Sequence, residues 1–194
     1  MPRPARPGAL LLLAAIVVVA ACGVGSGPSF DPTGACSTDG KVAGAYPDLE
    51  ALVPKLYRGA PSQTLDSGRN CTPQGLGPLA SLGITEVRFA GGTWTFGADR
   101  AVVLAVFRTR GLGADAVAAF FTPTAQTASR TEIIAETAPT VAGRPGHRVD
   151  TKTGTKVQTV VIWPAADRDM VNVVITSDLP EARIQDAIDA YEGR

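Results

Sequence analysis

Side chains able to carry chemistry are few in this 194-residue chain: three cysteines, Cys22, Cys36 and Cys71, and a single histidine, His147. A nucleophilic triad needs an imidazole beside the nucleophile. His147 follows Arg144-Pro145-Gly146 at an expected strand start, next to Arg148, a setting that suits a polar or packing role. Zinc sites draw on about four Cys or His ligands, commonly at short spacing; Cys36 and Cys71 stand far apart, so neither a metal nor another cofactor is expected. Carboxylates occur in pairs, Asp167 with Asp169 and Glu132 with Glu136. The first pair falls in a turn and the second on the outward side of a strand, so both read as solvated charges. No catalytic residue is assigned.

Gly111-Leu112-Gly113-Ala114-Asp115-Ala116 matches G-x-G-x-x-[GA] between an expected strand and helix, with Glu132 or Glu136 near the distance of a ribose-binding acid. No run of βαβ units surrounds it, and the preceding strand ends in Arg108 and Arg110. Gly111 and Gly113 therefore read as a turn, with Asp115 near the helix start. Arg88 and Arg108 offer another hint. If Phe96 faces Ala101 and a β-bulge at Gly91-Gly92 holds one extra residue, Arg88 falls opposite Arg108 and Glu86 opposite Arg110. Directly opposed like charges are unfavourable on a sheet. An anionic ligand or a nearby acid would compensate them, or the arginines splay apart on a solvated face.

The start of the chain is more specific. Met1 to Gly8 carry Arg3 and Arg6 without an acid, and an unbroken apolar run from Ala9 to Ala21 follows, as in a signal peptide. The run is shorter than the roughly 20 apolar residues that span a bilayer. It ends Val19-Ala20-Ala21-Cys22-Gly23, which resembles the lipobox of bacterial lipoproteins. That resemblance covers only this segment. It implies lipid on Cys22, cleavage before it, and residence on the extracytoplasmic face of a membrane. Ordinary cleavage after Ala21, leaving a free thiol at Cys22, is the alternative. An odd cysteine count in an exported chain asks what the unpaired one does. Lipid on Cys22 leaves Cys36 and Cys71 to form a disulfide, which an oxidising compartment permits; the alternative is two buried thiols. Asn70-Cys71-Thr72 has the form of a glycosylation sequon, which seldom applies in a bacterium.

Removing residues 1 to 21 takes away Arg3 and Arg6, so 16 basic residues (18 less 2) face 18 acidic ones, a formal charge of −2. A nucleic-acid partner is not expected from that balance. The membrane, through the N-terminal lipid, and a small molecule or envelope protein are the expected partners. Residues 22 to 35 are rich in Gly, Pro and Ser and read as a flexible tether; residues 36 to 194 suit one domain.

Within that domain, Pro47 to Val53 opens like a short helix with Asp48 as N-cap, stopped by Pro54. Residues 59 to 81 read as a long loop with a possible helical turn near Leu76 to Leu82. Ile84 to Ala90 and Trp94 to Phe96, then Ala101 to Phe107, form a hairpin whose second strand is apolar on both faces, as in a central strand. Ala114 to Phe121 has helical spacing before Pro123. Thr131 to Thr137 and Arg144 to Thr151 are strands, and Lys156 to Trp163 with Asp169 to Thr176 form a second hairpin. Asp178-Leu179-Pro180-Glu181 has the form of a capping box before a closing amphipathic helix. Trp94, Phe96, Phe107, Phe120, Phe121 and Trp163 are expected in the core, with room for a pocket between layers. The fold class is α+β, an antiparallel sheet of about five to six strands covered by two or three helices. In element order it resembles the PsbP/Mog1-like domains of some bacterial lipoproteins. The expected function is a non-enzymatic ligand- or protein-binding envelope domain, with a carboxylate-based envelope or extracellular hydrolase as the alternative.

Overall fold

The computed structural model describes residues 30–97, 99–127 and 131–193. The expected signal peptide, Cys22 and the first part of the expected tether lie outside them. The strands are β1 (Gly40–Val42), β2 (Leu56–Tyr57), β3 (Ala60–Pro61), β4 (Thr64–Asn70), β5 (Val87–Thr95), β6 (Ala101–Arg108), β7 (Thr131–Thr137), β8 (Thr140–Val141), β9 (Arg144–Pro145), β10 (His147–Thr153), β11 (Lys156–Pro164) and β12 (Met170–Ser177). The helices are α1 (Pro47–Glu50), α2 (Pro73–Leu76), α3 (Pro78–Ser81), α4 (Ala114–Thr127) and α5 (Glu181–Asp189). Eight strands form one sheet in the order β1-β4-β5-β6-β12-β11-β10-β7. Every pairing in it is antiparallel.

The central strands β6, β12 and β11 are built from β-branched and aliphatic residues at both parities, so each of their faces needs cover. On one face Val102, Leu104 and Val106 of β6 join Val161, Trp163 and Val174 under Leu49 of α1 and Ile184 and Ala187 of α5. On the other, Ala105 and Phe107 join Val160, Ile162, Val171 and Val173 under Leu76 and Leu79 of α2 and α3 and Val117 of α4. Fully burying a side chain of this size stabilises by roughly 1.5–3 kcal/mol, which is why both faces carry helices. Tyr191, just beyond α5, ties that layer down: its hydroxyl lies 2.8 Å from the Ala105 carbonyl and 3.2 Å from that of Val173.

The α+β class and the antiparallel sheet hold, but the sheet is wider than five to six strands, and the five helices are mostly single turns. Both expected hairpins are present, as β5–β6 and β11–β12. The Gly91-Gly92 bulge is absent: β5 and β6 pair without interruption from Arg88–Arg108 to Thr95–Ala101. Phe89 and Trp94 do not have to share a face, because Phe89 packs into one core and Trp94 into the other. The expected loop contains β4, whose sequence Thr-Leu-Asp-Ser-Gly-Arg-Asn lacks apolar alternation. Its central Gly68 lies against the β1 backbone, where a Cβ would collide with the Gly40 carbonyl and Lys41. Helix α4 runs through Pro123 to Thr127.

Helix starts also differ from expectation. Tyr46, not Asp48, precedes α1, and Pro180, not Asp178, precedes α5; neither supplies a side-chain cap. Asp178 has φ +52 and donates its N–H to the Val157 carbonyl, while Glu181 accepts from Arg148 Nη1 at 2.6 Å. Both groups of the anticipated capping box are thus engaged elsewhere.

Residues ahead of Cys36 join the packing. Arg69 of β4, buried to 4% exposure, donates through Nη2 to the carbonyls of Asp31 and Ala35, both at 3.0 Å, with its guanidinium carbon 5.8 Å from the Phe30 ring centre. A disulfide joins Cys36 to Cys71, with Cα atoms 5.4 Å apart. Beside it, Asp39 Oδ1 accepts from the N–H groups of Cys71 at 2.6 Å and Thr72 at 2.8 Å, and Oδ2 accepts from the Thr72 hydroxyl. Thr72 in turn accepts from Gly75 N–H at 3.0 Å and caps α2.

Chain-entropy reasoning for a separation of 35 residues assigns the disulfide about 4 kcal/mol. Urea unfolding with and without reductant should differ by about that much, whereas Cys36→Ser alone should show no further loss on reduction. Partial burial pushes the Asp39 carboxyl up, but hydrogen bonds from Thr72 and Cys71 outweigh it and hold the group below its usual value. A lowered folded value means stabilisation that is complete above the unfolded value of about 3.9 and is lost as pH falls through the folded one. Asp39→Asn should therefore cost about 1 kcal/mol near pH 6, and the gap to wild type should close toward pH 2.5. A gap independent of pH would contradict this role.

Candidate functional site

Arg69, Arg88 and Arg108 stand side by side across β4, β5 and β6, since Arg69 pairs with Arg88 and Arg88 with Arg108. The anticipated Arg88–Arg108 opposition is present, though it arises from an unbroken ladder in which Thr95, not Phe96, faces Ala101. Acids answer the charge. Glu86 Oε1 accepts from Arg88 Nε at 2.7 Å and lies 3.9 Å from Arg69 Nη1; Asp48 of α1 accepts from Arg108 Nη1 at 2.9 Å. Glu86 is thus not placed opposite Arg110. The Arg88 guanidinium also lies 4.9 Å from the Tyr46 ring centre, and its hydrogen bond to Glu86 raises its pKa further. Asp31 is lowered by its hydrogen bonds to Thr33 and, more weakly, by the field of Arg69.

The other anticipated chemical groups are dispersed. Glu132 pairs with Lys152 and Glu136 with Val149, and an irregularity between them puts the two glutamates on opposite faces of the sheet. Asp169 accepts from Gly111 N–H at 3.0 Å and closes the β6–α4 turn, while Asp167 lies exposed. Gly111 takes φ +79 there, and β6 has antiparallel neighbours on both sides, so the glycine pattern is a turn and not a dinucleotide cradle. His147 Nε2 lies 2.6 Å from Asp115 Oδ1 and links β10 to α4. Asn70 donates to the Gly75 carbonyl at 3.0 Å. Among the described residues, no group of three or more His, Cys, Asp or Glu could hold a metal, and no helix is long and apolar enough to cross a membrane.

A pocket of about 240 Å³ opens at the far end of the sheet from the arginine row. Its walls are Tyr57 of β2, Phe96 and Arg100 of the β5–β6 turn, and Leu179, Pro180 and Arg183 at the start of α5. Tyr57 forms the floor, buried to 1% exposure, with its hydroxyl donating to the Arg183 carbonyl at 2.9 Å. Burial, and secondarily Asp186, pushes the Tyr57 phenol up, with Arg58 opposing. Phe96, expected in the core, is 37% exposed and its ring centre lies 5.9 Å from that of Tyr57. The phenylalanine is held at the mouth because it follows the last paired residue of β5.

The β2–β3 hairpin shapes one wall. Arg58 at φ +53 and Gly59 at φ +78 form its turn, a backbone that favours glycine and is costly for arginine. Arg58 Nε meets Asp186 of α5 at 3.1 Å, and Trp94 Nε1 donates to the Ala60 carbonyl at 2.9 Å, so the hairpin is pinned at both ends. Sequence reasoning gave none of Tyr57, Arg100, Leu179, Pro180 or Arg183 a binding role; Leu179 and Pro180 entered it only within the expected capping box. They come from three separate segments, which no local window of sequence joins. The chain matches no protein-family model and no curated protein.

Replacement of Glu86 by Gln removes the acid shared by Arg69 and Arg88. It should lower stability by about 1–2 kcal/mol, between the exposed and buried limits for ion pairs. Inorganic phosphate should then raise the melting temperature of the variant and leave that of the wild type unchanged. Equal stabilisation of both proteins would mean that the row is open to anions without the substitution.

Proposed function

We propose that this chain is an exported lipoprotein, anchored through lipid on Cys22, whose domain binds a small molecule at the Tyr57–Phe96–Leu179 pocket outside the cytoplasm. The pocket is the observation that carries the binding role: aromatic and aliphatic walls converge on a concavity at a junction of three segments, the usual setting of a small-molecule site. Export is supported by the lipobox form of Val19 to Cys22. A disulfide between Cys36 and Cys71 fits an oxidising compartment. With two acyl chains on the N-terminal cysteine, anchoring needs nothing from the domain. The PsbP/Mog1-like resemblance in element order belongs to the same reading. The hydrolase alternative needs carboxylates that converge, and the pairs considered for it are exposed or split across the sheet.

Two measurements test this reading. Cys22→Ser should abolish precursor processing at that site and release the protein from membranes; unchanged fractionation and processing would overturn the anchor. Native mass spectrometry of the protein purified from its own envelope should show a bound small molecule that Phe96→Ala loses, with the fold retained. A wild-type protein that carries no adduct, and whose pocket resonances respond to none of a panel of small apolar compounds, would overturn the binding role.

A further inference from the structure

Resting on that reading of the pocket, we propose that its occupant is a small anion with an apolar body, an aryl or short acyl carboxylate or phosphate, taken from the aqueous phase and not from the bilayer. Charge is the first reason. Arg100 and Arg183 line the pocket. The Arg100 guanidinium donates only to the Phe96 carbonyl of its own turn, at 3.3 Å, and that of Arg183 has no hydrogen-bond or ion-pair partner among the described residues. The acids around them are engaged: Asp186 with Arg58, Asp99 with Lys156, Glu181 with Arg148. Asp178 has no such partner, but it does not line the pocket. In the row of Arg69, Arg88 and Arg108, by contrast, carboxylates already occupy the guanidiniums. Arg100 and Arg183 supply positive charge beside an apolar wall, which suits an oxyanion that accepts charge-assisted hydrogen bonds from them while its body contacts Tyr57, Phe96 and Leu179.

Size and position narrow the class. A cavity of about 150 Å³ holds benzene, so about 240 Å³ suits one ring with a short side chain or a short acyl chain. The pocket lies past Thr95 of β5, whereas Phe30 and Arg69 gather beside Arg88 at the strand's other end. That separation is about 23 Å at about 3.3 Å per residue. An anchor at Cys22 thus joins the domain at the arginine-row end, away from the pocket.

The test is calorimetric titration of the mature chain carrying Cys22→Ser with 3-phenylpropionate and octanoate, and with the neutral alcohols 3-phenylpropanol and octanol. Each acid should bind at least about tenfold more tightly than its alcohol. In the Arg100→Gln/Arg183→Gln variant, the preference for each acid over its alcohol should be lost. Phosphatidylglycerol vesicles should not displace 3-phenylpropionate. Equal binding of acid and alcohol by wild type would overturn this inference and leave the pocket as a neutral binding site. Acid preference that survives in the double variant would overturn the role of the two arginines, and displacement by vesicles would overturn the aqueous source. If neither acid nor alcohol binds, the pocket reading itself fails with it.

Discussion

Strands β6, β12 and β11 are apolar at every position parity, and this is the constraint from which the architecture follows. A sheet with one buried face needs a single layer of cover and leaves alternate residues in water. Here Val102, Leu104 and Val106 look one way and Ala105 and Phe107 the other, so helices must pack on both sides. Short helices suffice because each fills a limited gap: α1 contributes Leu49, α2 Leu76 and α3 Leu79. The longer α4 and α5 lie over opposite faces, Val117 and Ala118 marking one and Ile184 and Ala187 the other. With the sheet covered twice at its centre, the pocket forms at one of its ends.

The two ends of the sheet handle positive charge differently. At the end near Cys36, Arg69 is buried with two carbonyls as acceptors, while Glu86 and Asp48 sit beside the neighbouring arginines. Burying a cation without such partners would be costly. This makes the segment from Phe30 to Ala35 part of the domain, because its carbonyls satisfy a β4 side chain. At the other end Arg58 meets Asp186 of α5, and the backbone strain at its φ of +53 is held by the pinned hairpin. The same residue type thus serves cohesion in one place and leaves unpaired donors around a cavity in the other.

Much of the sheet was legible because strand periodicity is local. β7, β11 and β12 fall close to their expected bounds, since each is an alternating or continuous apolar run ended by Gly, Pro or Asp. β4 was not legible: Ser67 and Arg69 are buried by distant partners, which no window of sequence contains. The Arg88–Arg108 pairing was reached through a register one residue off at the turn, offset by a bulge that does not exist. Because both faces of the sheet are buried, Phe89 and Trp94 can point opposite ways and the strand needs no bulge.

By itself the sequence determined what neighbours along the chain decide: the two hairpins and the antiparallel α+β class. Tertiary structure alone decided which acids answer the arginine row, which carbonyls Arg69 reaches, and that Tyr57, Phe96, Arg100 and Arg183 surround one cavity. The physical reason is range. Propensity and hydrophobic period act over a few residues, whereas a pocket and an ion pair depend on register and layer packing between segments far apart in the chain.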